Sequence, residues 1–387
     1  MKGRGKRMKK TAVLLLALSV LAAGTMTAYG AGRIDGERQD CRVTFTLDVE
    51  ELGAEDLGNL GQTSPDFEQY YGELSEMPEE EAIEVALYRV AEVDGDGHFR
   101  LLPEYREAGL EALESADGDT TAKQWSDWAA IAAGIALGED GEAELSGNGS
   151  GEAGKLTPEA QTQIRRNQDG KVAGTVEGLP VGMYLVCVRP VETENNIYRF
   201  IPYLLSLPRY AYTEGGSEEW NYGEDEGNPI YVGLKPERED RFGDLVIEKI
   251  LSSYNETLEG ASFVFEVRAV KDQTLVYSDV VSLVFDGCGS ETVTVEGIPL
   301  GAEVTVTEVY SGASYREATG GSEPPSRSIL MGAEENRVSF ENEYDGRLNG
   351  GGASVVNHFT YEKEENGTGR LNWEPLAGNN DSAAEMR

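Results

Sequence analysis

Apolar and polar positions alternate along much of this chain, and the alternation predicts β-strands. Residues 41–49 (CRVTFTLDV) put Cys41, Val43, Phe45, Leu47 and Val49 on one face, the period of a half-buried strand. An acidic, Gly- and Pro-containing stretch at about 50–80 follows. Residues 85–93 (VALYRVAEV) then predict a second strand, and DGDGHF at 94–99 predicts a hairpin turn. From there the spacing turns helical. Residues 105–115 and 123–137 (KQWSDWAAIAAGIAL) are Ala-rich, with Trp125, Trp128, Ala132 and Ile135 on one helix face. The two tryptophans read as core anchors in preference to a sugar-binding platform.

A repeat organises the chain at longer range. Gly178-Leu-Pro-Val-Gly182 leads into the strand MYLVCVRP, and Gly297-Ile-Pro-Leu-Gly301 leads into AEVTVTEVY, an offset of 119 residues between Gly182 and Gly301. In each copy Gly supplies conformational freedom and Pro fixes the turn that delivers the chain into a strand. The strand beginning at Asp40 (DCRVTF) likewise resembles the one beginning at Asp244 (DLVIEK). The expectation is an all-β chain of two related β-sandwich domains, 40–236 and 243–345, the first enlarged by a helical insertion. A charged boundary lies at Pro236 to Gly243, and an extension, 346–387, could add one strand.

Strand parity in the second domain singles out three polar residues. In LVIEKIL, Leu245, Ile247, Lys249 and Leu251 share a face. In EVTVTEVY, Glu308 falls with Val304, Val306 and Tyr310, and in VSFENEY, Asn342 falls with Val338, Phe340 and Tyr344. An amine, a carboxyl and a carboxamide are thus each predicted to point inward from a different strand. Burial disfavours charge on both the amine and the carboxyl, which can give a neutral, nucleophilic Lys249 beside a protonated Glu308. Such a pair could join Lys249 to Asn342 as an amide, with Glu308 as the proton shuttle. An ordinary buried salt bridge with Asn342 hydrogen-bonded to it satisfies the same parity. Asn357 in VVNHFTY is a second inward asparagine, with Val355 and Phe359.

Composition narrows the function classes. With 33 Lys plus Arg against 70 Asp plus Glu, the net charge is -37. Such a polyanion is repelled by nucleic acid phosphates and anionic membrane surfaces. Two His and three Cys leave little material for a His-based triad or a Cys/His metal cage. A calcium-loop reading of Asp94 and Asp96 lacks the later acidic ligands, so neither metal nor cofactor is expected. Paired carboxylates of a secreted carbohydrate-active enzyme are available in abundance but carry no distinguishing motif. Lys2, Arg4, Lys6, Arg7, Lys9 and Lys10, the apolar run from Thr11 to Ala23, and Ala28 and Gly30 before a cleavage point read together as a signal peptide over residues 1–30. The expected location is extracellular, at the cell surface or wall, with no membrane segment after cleavage.

The ordered motifs GDLVIEK, GIPLGAEVTVTE and VSFENEY resemble the Lys, Glu and Asn motifs of Cna-B-type and pilin isopeptide domains of Gram-positive surface proteins. The segments VALYRVAEV, WSDWAAIA, GLPVGMYLV, YRFIPYLLSLP and WNYGEDEGNPIYVGLKPE resemble the N-terminal domain of their pilin backbone subunits, the SpaA-like pilins. The resemblance covers roughly residues 40–345. It implies immunoglobulin-like or prealbumin-like sandwiches, a Lys249–Asn342 isopeptide bond with Glu308 as catalyst, and a structural or adhesive surface protein that is no turnover enzyme. A ligand-binding adhesin tip that does not polymerise is the alternative.

The first domain departs from the motif set, since Phe45 stands in place of Lys249 and Arg189 in place of Glu308. Cys41 and Cys187 could form a disulfide in its stead or be two small buried side chains, with Cys288 left unpaired. The resemblance also implies other pilin subunits and a sortase as partners. Lys235, placed opposite Ile230, Val232 and Leu234, is the matching acceptor; a solvated boundary lysine is the competing reading. The tail NWEPLAGNNDSAAEMR has no LPxTG-like motif, apolar segment or basic cluster. Truncation, or secretion without a wall anchor of its own, is expected on that ground.

Overall fold

The two copies of the repeat build two sandwich-like bodies with the same strand connectivity. The first comprises β1 (Cys41–Thr46), β2 (Ile83–Val93), β3 (Phe99–Leu101), helix α1 (Ala122–Leu137), β4 (Ala160–Arg166), β5 (Val172–Leu179), β6 (Gly182–Val188), β7 (Val191–Glu192), β8 (Asn196–Phe200), β9 (Tyr203–Leu207), β10 (Arg209–Tyr212), β11 (Glu218–Asn221), β12 (Tyr231–Gly233) and β13 (Pro236–Asp240). The second comprises β14 (Phe242–Leu251), β15 (Ala261–Lys271), β16 (Thr274–Phe285), β17 (Gly289–Pro299), β18 (Glu303–Tyr310), β19 (Tyr315–Glu317), β20 (Ser326–Leu330) and β21 (Asn336–Tyr344). A hairpin, β22 (His358–Lys363) and β23 (Gly369–Glu374), follows. This computed structural model describes residues 32–47, 52, 71–78, 80–106, 109–138, 156–212, 218–225, 228–257, 260–319, 324–346, 358–363 and 369–374. The signal peptide and Asn357 lie outside the described residues.

Strand pairing confirms the repeat as a topological one. In the second body β14 runs parallel to β21 and antiparallel to β17, while β18 lies between β15 and β20 in the facing sheet. In the first, β1 runs parallel to β12 and antiparallel to β5, while β6 lies between β2 and β9. The Gly-x-Pro-x-Gly turns therefore occupy equivalent places, each carrying the chain from one side of a sandwich to the other. Their first glycines, Gly178 and Gly297, have φ of 73° and 77°, a region that favours glycine. The first body closes one long sheet, β12-β1-β5-β4-β2-β6-β9 with β3 on β2, and the second keeps two four-stranded sheets, β17-β14-β21-β19 and β16-β15-β18-β20.

Parity decides what is buried. Cys41, Val43, Phe45 and Leu47 enter one core, which extends from Ile34 to Leu234. Leu245, Ile247 and Leu251 enter a second, which extends to Phe340. Helix α1 starts with a capping box, Thr121 accepting from the Gln124 backbone while the Gln124 side chain accepts from the Thr121 N–H. Trp125 and Trp128 meet edge to face at 5.2 Å and both are buried. They anchor the core as expected.

Two expectations change, the charged boundary stretch takes a definite structure, and the cysteine alternatives are decided. Residues 105–115 are not a helix: 3₁₀ turns at Pro103–Tyr105 and Glu111–Ser115 flank Gly109, whose φ of 83° interrupts helical geometry. The charged boundary is itself strand, because β13 pairs with β8 and β14 begins at Phe242. In the extension, β22 and β23 pair with each other rather than one strand joining the sandwich. Cys41 and Cys187 are free thiols, each fully buried. They are the two small buried side chains of the alternative reading, and the disulfide is not formed.

Candidate functional site

Lys249, Glu308 and Asn342 converge in the second core. β14 and β21 are neighbours in parallel register, Lys249 opposite Phe340 and Leu251 opposite Asn342. The amine and the carboxamide thus sit on adjacent strands, one inward-facing step apart. Glu308 comes from β18 in the facing sheet, where it pairs with Phe265. All three residues are at most 1% exposed. Lys249 Nζ lies 2.8 Å from Glu308 Oε1, and Asn342 Nδ2 donates to the same oxygen at 3.1 Å.

This arrangement leaves polar capacity unused. Lys249 Nζ is held by this ion-pair contact, while Glu308 Oε2 and Asn342 Oδ1 are buried atoms without a hydrogen-bond partner. Buried orphans of this kind cost about 1–3 kcal/mol each, and two of them flank the one ion pair here. Aromatic rings wall the site: Nζ sits 4.6 Å from the centroid of Phe263, and Phe265 and Phe340 meet at 5.1 Å. Burial lowers the pKa of Lys249 and raises that of Glu308, with each partner's charge opposing the shift of the other. A neutral amine beside a protonated carboxyl is the protonation state that burial favours.

The equivalent position in the first body is inert. Phe45, fully buried, pairs with Val232 as Lys249 pairs with Phe340, which puts Leu234 where Asn342 stands. Arg189 pairs with Glu84 at 2.7 Å on a partly exposed edge. Among the described residues, that body places no amine, acid or carboxamide at this point.

The other predicted residues fall elsewhere. Lys235 has the expected parity, since Ile230, Val232 and Leu234 fill the core, but it is 7% exposed and so is not a solvated boundary lysine. Ile201 N–H donates to the Lys235 carbonyl at 2.9 Å, extending the β13–β8 pairing by one residue. The Tyr203 ring lies 5.1 Å from Nζ, and burial lowers the amine to about 8. Asp94 Oδ1 accepts from the Asp96 and His98 backbone amides, so it closes the hairpin loop. Among the described residues no group of His, Cys, Asp and Glu is placed to hold a metal ion, and no helix is long and apolar enough to cross a membrane.

Two charged residues that parity did not flag stand beside the trio. Arg327 of β20 and Glu317 of β19 form an ion pair at 2.5 Å, with the Glu317 side chain 7% exposed. The fragment SRSIL, which sets Arg327 in step with Ile329, carried the signal.

The profile of a domain of unknown function (DUF5979) matches residues 245–345, the span that holds all three trio residues. No curated protein matches the chain. Among solved structures, the chain is similar to the pilus-presented adhesin Spy0125 (Cpa) at 14% identity, over 42% of this chain and 36% of that one, with a TM-score of 0.20. It thus spans about a third of that adhesin's length. It is also similar to GBS52, the minor pilin of Streptococcus agalactiae (14% identity, 81% of this chain and 100% of that one, TM-score 0.21). A third likeness is to an adhesin from Mobiluncus mulieris containing intramolecular disulfide, isopeptide and ester bond cross-links (15% identity, 68% and 84%, TM-score 0.24). Superposition at these scores is weak, and the all-β, two-sandwich fold rests on the strand pairing of this chain.

Proposed function

We propose that this chain is an exported surface protein of the pilin type, a structural subunit or adhesin, whose second sandwich is locked by an isopeptide bond between Lys249 and Asn342 formed with Glu308 as acid–base catalyst. The observation that carries the reading is the convergence of an amine, a carboxyl and a carboxamide, all buried, with two unpartnered oxygens, Glu308 Oε2 and Asn342 Oδ1, beside the ion pair. A half-turn of the Asn342 carboxamide brings Oδ1 to a protonated Glu308, which polarises the carbonyl. The Lys249 Nζ lone pair attacks Asn342 Cγ, Glu308 relays a proton from Nζ to Nδ2, and the Cγ–Nδ2 bond breaks. One ammonia leaves, one amide forms, and no oxidant or cofactor is needed. The reaction happens once per chain, so the protein is not a turnover enzyme.

The bond would tie the first strand of the sandwich to its last. Force entering at β14 and leaving at β21 would then pass through the cross-link and bypass the strands between, the demand made on a subunit under tension. The proposed location is outside the cell, supported by the signal peptide read at the amino terminus. Other subunits of the same kind are the proposed partners, joined by a sortase. Lys235 is the proposed acceptor, because a lysine whose amine titrates near 8 in an apolar setting is a competent nucleophile once its cover opens. Intact-mass measurement of the protein tests the reading. The wild-type chain should weigh one ammonia less than its sequence, and Lys249→Ala and Glu308→Ala should each restore the full mass. A wild-type chain at full mass would overturn it.

A further inference from the structure

β19 and β20 are short edge strands of the two facing sheets, and they bring one inward charge each to the same seam. Glu317 is in register with Asn342, and Arg327 is in register with Val306; both partners face the core. The guanidinium reaches across the seam to Glu317 at 2.5 Å and stacks 5.1 Å over the Phe340 ring, while Nη1 donates to the Ser326 carbonyl at 2.9 Å. Phe340 is also the residue opposite Lys249. The ion pair therefore seals the sandwich edge directly beside the trio, with Arg327 outermost and the Glu317 carboxylate against the interior.

We propose that Glu317 and Arg327 are positioning residues for the cross-linking reaction, a charge pair that closes the seam over Asn342 and sets the protonation window in which Lys249 and Glu308 react. The proposal rests on the isopeptide reading. The charged and titratable groups that meet here are Lys249 on β14, Glu308 on β18, Glu317 on β19 and Arg327 on β20. Reaction needs the Lys249–Glu308 couple to hold a single acidic proton, on Glu308. Below that window Lys249 is protonated as well, and above it Glu308 is ionised. The negative Glu317 draws protons toward the couple and the positive Arg327 repels them, the directions in which each acts on Lys249. The two effects oppose each other. Removing either one shifts the window, and the two shifts have opposite sign.

The test follows the mass of the full-length chain over time after cell-free synthesis, at a series of pH values. Wild type should show a bell-shaped rate of ammonia loss. Arg327→Met, which leaves Glu317 uncompensated, should move the bell to higher pH by about one unit, and Glu317→Gln should move it to lower pH by a similar amount. Arg327→Lys should restore the wild-type position, and the double variant Glu317→Gln, Arg327→Met should fall between the two single variants. If wild type never loses ammonia, the isopeptide reading itself fails. If wild type reacts and both single variants react with its rate and pH profile, the bond stands and the positioning role is overturned. A variant slowed equally at every pH would mark a purely structural seam and would overturn it too.

Discussion

Replacing Asn342 by leucine removes the acceptor of the bond while keeping a side chain of similar size and leaving the Lys249–Glu308 contact in place. The segment between Lys249 and Asn342 is 93 residues long (342 less 249). Treated like a disulfide, closing such a loop restricts the unfolded chain by about 4–5 kcal/mol. The leucine also relieves one orphaned carbonyl, Asn342 Oδ1, which offsets about 1 kcal/mol of that loss. The net expectation is a second body less stable by about 3–4 kcal/mol. Its unfolding should also have a steeper denaturant dependence, since the unlinked chain exposes more surface. All four tryptophans, Trp125, Trp128, Trp220 and Trp373, lie outside residues 242–344, so tryptophan fluorescence cannot follow this unit. Hydrogen exchange of β15 and β18 peptides across a guanidinium series can. Wild type and Asn342→Leu with midpoints equal within about 1 kcal/mol would refute the reasoning, since no loop would then have been closed.

Other expectations follow from the same geometry. In Lys249→Met, Glu308 stays buried without its amine, and its folded pKa lies above the ordinary 4.5. Stability from the retained proton is then fully present below about pH 4.5 and declines by about 1.4 kcal/mol per unit as pH rises toward the folded value. Adding Glu308→Gln should flatten that slope in a pH series of thermal melts; a slope that persists would place the titration elsewhere. Lys235→Met should stabilise the first body at pH 7 by up to about 3 kcal/mol, because the buried amine, at about 8 against an ordinary 10.5, no longer has to be held charged. Tryptophan fluorescence reads this unit, and a loss of stability would contradict it. Reducing agent should leave the melting temperature unchanged, and in the native chain only the exposed Cys288 should react promptly with an alkylating reagent. Burial pushes the Cys41 and Cys187 thiols up to about 12, which suppresses the reactive thiolate at both.

How much of this was legible in the sequence depends on how local each cause is. Parity placed Lys249, Glu308 and Asn342 correctly, because a two-residue period fixes which face a side chain takes once a strand forms. The repeat foretold the shared connectivity of β14, β17 and β18 with β1, β5 and β6, since the same turn chemistry delivers both copies of the chain. Lys235 was read as lying on the strand face opposite Ile230, Val232 and Leu234, and it is nonetheless buried. Its burial, with the Tyr203 ring beside the amine, is a tertiary fact with no local trace. The helix expected at 105–115 failed at one residue, Gly109, whose positive φ outweighs favourable neighbours on either side. Glu317 and Arg327 escaped notice because β19 is three residues long and β20 five, too short for alternation to stand out.

The central claim is a covalent bond between two named atoms, and peptide mapping reads it directly. Proteolysis of the native wild-type chain followed by tandem mass spectrometry should yield one branched species, the peptide holding Lys249 joined through Nζ to the peptide holding Asn342, with one ammonia missing. Recovery of both peptides as separate linear species at full mass, or a branch that maps to Asn357, would contradict the account.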